Sequence, residues 1–200
     1  MSSDPRTAIM NAAGEVFARY GFKKASVEDI ARRAGVGKGS IYLHFESKEA
    51  LFEACVRSAN VRSTAELEAA VRRASTPELQ VRAFIECKLE QMTRGMGEHR
   101  IMMEHLFELG AQAMRFVPEL QEKEAAVLAR VLTEGTSQGV FAVAAPQRVA
   151  SGFMEMFMGL TIKFLTQGLE APMKEALDAF FDVFIRGLAA SREATRSRKH

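Results

Sequence analysis

Cysteine is scarce in this chain: Cys55 and Cys87 are its two cysteines, far apart and outside any paired-cysteine motif. A disulfide framework is excluded, and both thiols are expected to be buried and reduced. Charge of one sign is lacking as well. The 27 Lys and Arg residues against 25 Asp and Glu leave a formal net charge of +2. Nucleic acid binding would therefore rest on local cations, not on a globally cationic protein. Strand signals are poor throughout, with no clean alternation between turn-rich segments. No repeat or low-complexity stretch appears. No glycine-rich phosphate loop or nucleophile elbow is present, so an enzyme reading has no residues to name. His105 and Glu108 share a helix face, but His99 does not fall cleanly on it, and no metal or cofactor is expected. The most apolar stretch, Val149 to Leu165, contains Glu155, Lys163 and two glycines and is too short to span a bilayer. With no signal peptide recognised, the expected location is the cytoplasm.

What the chain does contain is helix signal. Asp4 and Pro5 suit a helix start, and Ile9, Ala12, Ala13, Val16, Phe17 and Tyr20 repeat at helical spacing, with Gly21 where a left-handed cap would fall. The segment Ser26 to Leu51, SVEDIARRAGVGKGSIYLHFESKEAL, then reads as two short helices joined by a glycine-centred turn, with a third helix following at once. Ser26 is an N-cap with Asp29 as a weak capping-box partner. Val27, Ile30, Ala31 and Ala34 form one apolar stripe. Gly35 and Gly37 bracket Val36, which plugs the angle. Lys38 to Phe45 forms the second helix, with Ile41 and Phe45 inward and Lys38, Gly39, Ser40, Tyr42 and His44 on its other face. Ser47 caps a fourth helix that continues to Thr76-Pro77 through a polar stretch. The spacing predicts a helix-turn-helix, a unit that places its second helix in the DNA major groove.

These residues resemble the TetR/AcrR family of transcriptional regulators. The resemblance covers Ile9 to Leu51: Ala13, Phe17 and Gly21 in an AxxxFxxxG pattern, then the long motif with its spacing unbroken. Gly37 departs from it, because the family often has Ser or Thr capping the second helix there. Lys38 is long enough to reach a guanine edge or a phosphate, Gly39 permits close backbone approach, and Ser40 can bond several bases. The resemblance implies phosphate contacts for Tyr42, His44, Lys48 and Ser26, with Lys23, Lys24, Arg32 and Arg33 as a basic rim. Tyr42 and His44 could instead be a core aromatic and an ordinary surface histidine. The motif favours the DNA reading.

Further along, Pro77, Pro118, Pro146 and Pro172 mark helix starts, a short helix is expected from His99 to Leu109, and the helix begun at Pro118 fades at Gly135 and Gly139. The expected fold is all-α. Residues 1–46 would form a three-helix DNA-binding head and residues 47–200 a larger helical effector-binding and dimerisation domain. The resemblance implies that the last two helices dimerise, and the apolar positions on them are Phe153, Phe157, Phe164 and Leu177, then Phe180, Phe181, Phe184 and Leu188. A Met- and Phe-rich set offers walls for a small hydrophobic or aromatic effector: Phe84, Met102, Met103 and Phe107, with Phe116, Phe153, Met156 and Phe157. Ordinary core is the competing explanation for each. The expected function is a cytoplasmic homodimeric repressor on double-stranded DNA, released from a near-palindromic operator by its effector through a population shift. The alternative is a DNA-binding regulator controlled by a protein partner or lacking a small-molecule effector.

Overall fold

The computed structural model describes residues 4–94, 116–167 and 171–190. Among them the helices are α1 (Pro5–Lys24), α2 (Val27–Ala34), α3 (Lys38–His44), α4 (Lys48–Arg73), α5 (Pro77–Arg94), α6 (Phe116–Ser137), α7 (Pro146–Gln167) and α8 (Ala171–Leu188). The fold is all-α, as expected. The expected 99–109 helix and Met102, Met103 and Phe107 lie outside the described residues.

The local starts follow their caps. Asp4 accepts from the Arg6 amide, Ser26 from Asp29, Ser47 from Ala50 and Thr76 from Leu79. Asp29 does not complete a capping box. Its carboxylate accepts from the Ser26 hydroxyl at 2.6 Å instead of reaching the backbone amide. Gly21 is not a left-handed cap either: at φ 80, ψ 164 it interrupts α1, which ends at Lys24. Gly35 is the turn residue that needs its missing Cβ, at φ 69, ψ 28. Gly37 is extended and adds no side-chain cap to α3.

The chain divides into two compact units, Met1–Ser63 with Met92–Pro118, and Thr64–Gln91 with Glu119–His200. The first has a core of α1 to α4 side chains, including Ile9, Ile30, Ile41 and Leu51 at no more than 1% exposure. The rings of Phe17, Phe22 and Phe52 meet at centroid distances of 5.1–5.9 Å. Phe116, from the first turn of α6, is buried in this same core, with the Arg57 guanidinium over its ring. It was expected among the effector contacts. Burial alone could not say which core it joins.

The second unit is centred on Phe153, whose ring lies 5.5–6.1 Å from those of Phe84, Phe157, Phe181 and Phe184. Beside them Lys88 Nζ donates to Glu124 Oε2 at 2.8 Å and stands 5.3 Å from the Phe157 ring centroid. Glu124 is fully buried. Gly135 does not end α6, which runs to Ser137. It is glycine because a Cβ there would sit 2.3 Å from the Phe141 ring. Gly139 supplies the positive φ of the following turn. Phe141 then pairs with Ala189 in an isolated bridge, with Ala142 N–H donating to the Leu188 carbonyl at 2.9 Å.

On α7 and α8 most of the residues expected to dimerise point into their own unit. Phe153, Phe157, Phe164, Phe181 and Leu188 are buried, Leu177 and Phe184 are half-buried, and only Phe180 is exposed. Among the described residues, the exposed large apolar side chains of these two helices are Met156 and Ile162 on α7 with Phe180 and Val183 on α8. No described helix is long and apolar enough to cross a membrane.

Candidate nucleic-acid interface

Ile41 and Phe45 anchor α3 in the head core, which fixes the opposite side of this short helix outward. Lys38, Gly39, Tyr42 and His44 are exposed there and Ser40 is half-exposed, so the structure gathers these five on one helix. Tyr42 is 48% exposed, which removes the core-aromatic reading. One further side chain of α3 is exposed. Leu43 is 84% exposed, the most of any large apolar side chain among the described residues. It sits between two motif positions, and nothing in its apolar residue type marks it as outward.

Two of the expected phosphate contacts are engaged inside the head. Lys48 Nζ donates to the carbonyls of Phe22 at 2.9 Å and Ala25 at 3.1 Å, and stands 4.3 Å from the Phe22 ring centroid. It therefore ties the start of α4 to the end of α1. The Ser26 hydroxyl both accepts from the Asp29 amide and donates to its carboxylate, which leaves it no proton for a phosphate.

Lys38 and two cations of the rim, Arg32 and Arg33, are paired as well. Lys38 bonds Glu28 across the turn, Arg32 bonds Asp29 and Arg33 bonds Glu15. The Lys38 ammonium holds the Glu28 carboxyl below its usual range, and Glu28 in turn raises Lys38. These pairs are exposed, so phosphate oxygens can compete for the same cations. No group of three or more His, Cys, Asp or Glu is arranged for a metal among the described residues. Neither half-buried cysteine is in a disulfide, and burial pushes the Cys55 thiol up to about 12 despite the opposing pull of Arg62.

Residues 9–55 match the family model for bacterial regulatory proteins of the TetR family. Over nearly the full chain, 199 residues, it is 24% identical to the HTH-type transcriptional regulator YhgD of Bacillus subtilis, covering 96% of this chain and all of that protein. A shorter match to the A-factor receptor protein of Streptomyces griseus is 49% identical over 47 residues, spanning 24% of this chain but 17% of that relative. Among solved structures, a TetR-family regulator from Mesorhizobium loti superimposes with a TM-score of 0.76 at 22% identity, covering 93% and 97% of the two chains. The regulator FadR from Bacillus subtilis, solved with stearoyl-CoA, superimposes at 0.70 with 20% identity, covering 91% and 98%. The 47 positions matched by the family model run from Ile9 through the turn and α3 into α4. Residues 9–55 thus carry the N-terminal motif of the TetR family, and the chain is similar in sequence and fold to transcriptional regulators of that family.

Proposed function

We propose that the chain is a ligand-released repressor that acts as a cytoplasmic homodimer. Residues 1–46 are the proposed DNA-binding domain, and residues 47–200 the effector-binding and dimerisation domain. The observation that carries the reading is α3. A helix held by Ile41 and Phe45 turns Lys38, Gly39, Ser40, Tyr42 and His44 outward in a motif built for the major groove. Ser26 and Lys48 belong to the DNA set only through the family resemblance. Their bonds inside the head give them first a positioning role.

Two half-sites of a near-palindrome suit two heads related by a two-fold axis. The exposed apolar side chains of Met156, Phe180 and Val183 support a dimer through α7 and α8. A hydrophobic effector is supported by the aromatic surroundings of Phe84, Phe153 and Phe157, and by the stearoyl-CoA held by the FadR of the same fold. Binding of effector would favour a conformation whose heads no longer match adjacent major grooves.

The test is a titration of purified protein, stripped of co-purified small molecules, against the DNA upstream of its own gene at several salt concentrations. The expected result is tight, competitor-resistant binding with a steep salt slope, weakened on addition of long-chain acyl-CoA or another apolar ligand. Binding no tighter than to random DNA would overturn the reading. Specific binding that no apolar ligand weakens would leave a regulator but remove the effector.

A further inference from the structure

We infer that Leu43 is a specificity-determining residue that packs against the 5-methyl group of a thymine in each operator half-site. The inference rests on the proposed role of α3 as the DNA-reading helix. With 3.6 residues per turn, positions 39 and 43 both lie about 160° around the helix from position 41. Ile41 is 1% exposed and marks the inward direction, so Gly39 and Leu43 form the ridge of α3 farthest from the head core.

That ridge has an uneven make-up. A Cβ built on Gly39 would meet nothing within 4 Å, so no contact inside the head requires glycine there. The bare backbone at Gly39 leaves Leu43 as the leading side chain of the ridge. A helical leucine also leans toward the helix N-terminus, over the preceding turn, which carries its methyl groups above Gly39. Any surface that α3 approaches meets Leu43 first.

The chemistry of the major groove limits what such a side chain can read. Leucine has no donor or acceptor, and the thymine 5-methyl is the one apolar group a base edge offers there. A cytosine at the same place would turn its amino group toward leucine and lose the water that satisfies it. Thymine is thus favoured both by burial of its methyl and by exclusion of cytosine. The flanking polar side chains of Ser40, Tyr42 and His44 remain free to set the register on the duplex.

The test begins with full-length protein selecting binding sites from a random duplex pool. Each thymine of the selected half-site is then replaced singly by deoxyuridine, which removes the methyl and keeps the base pair. For the wild-type protein, one position per half-site is expected to lose about three- to fivefold in affinity, the size of one buried methyl. For Leu43→Ala the methyl-bearing site is expected to bind more weakly, with the thymine-to-deoxyuridine difference at that position gone. Selected half-sites without thymine would overturn the inference. So would wild-type indifference to every methyl, or a Leu43→Ala protein that keeps the full methyl effect. Failure to enrich any sequence would overturn the DNA-reading assignment of α3 itself. Leu43 is exposed, so both proteins can be compared at equal folded fraction, checked by thermal unfolding.

Discussion

Lys48 lets a structural and a DNA-binding role be told apart in a single variant. Lys48→Met keeps most of the apolar stem over Phe22 and deletes the ammonium. The loss comprises two hydrogen bonds from a charged donor to the Phe22 and Ala25 carbonyls and one cation–π contact at 4.3 Å. Deleting a hydrogen bond to a charged group costs about 1.5–3 kcal/mol where water is excluded, and an exposed cation–π contact about 0.5–1 kcal/mol. Lys48 is half-buried, so water reaches part of this network, while methionine retains some of the ring contact. The expected destabilisation is therefore about 2–3 kcal/mol, well below the sum of the separate maxima. For a chain of this size that lowers Tm by about 4–12 °C. The assay is thermal and urea unfolding without DNA, at one protein concentration because dimerisation makes Tm concentration-dependent. Lys38→Met is the control: its ion pair with Glu28 is exposed, and Tm should scarcely move. An unchanged Tm for Lys48→Met, with DNA binding nonetheless weakened, would refute the clamp and make Lys48 a phosphate ligand alone.

Other variants test other contacts. Gly135→Ala sets a helix-propensity gain of about 1 kcal/mol against overpacking on the Phe141 ring of about 1–3 kcal/mol, and the 2.3 Å approach decides for overpacking. A lower Tm is expected, partly restored by adding Phe141→Leu; a higher Tm would mean that Phe141 moves freely. Lys88→Met should cost about 3–5 kcal/mol by removing the cation paired with the buried Glu124 carboxylate, while Lys88→Met with Glu124→Leu should lie near wild type in urea unfolding. Glu28→Gln frees Lys38 and should tighten operator binding at fixed salt, whereas Lys38→Ala should lower the salt slope by about 1. With its thiol raised to about 12, Cys55 is thiolate to only on the order of one part in 10⁴ at pH 8. It should resist iodoacetamide in the native protein and react on unfolding, as read by mass spectrometry.

The features legible in the sequence are those settled by neighbours in the chain. Asp4, Ser26, Ser47 and Thr76 cap helices because a short side chain reaches amides two or three residues on. Positions settled by distant partners were misread. Gly135 and Gly21 look alike as helix ends, yet Gly135 lies within α6 because the Phe141 ring occupies its side-chain space. Phe116 looks like one more member of a Met- and Phe-rich set, and nothing local assigns it to the head core. On α7 an apolar pattern all around the helix gives no phase, so the buried Phe153 and Phe157 could not be told from the more exposed Met156 and Ile162. The motif identified α3, but an apolar residue type gives no sign that Leu43 faces outward. Its position opposite Ile41, one turn after Gly39, was the signal available.

The burial of Phe116 also bears on how the chain is made. Its ring belongs to a core otherwise built from residues between Ile9 and Val56. A ribosome delivers that earlier stretch first, at about 5–20 residues per second, and the nascent head must wait seconds for its last aromatic. During that interval the place Phe116 will fill beside Arg57 stays open, and the growing chain presents apolar surface to its surroundings. Premature termination anywhere between α4 and α6 would release a fragment that carries the whole recognition motif without a finished core.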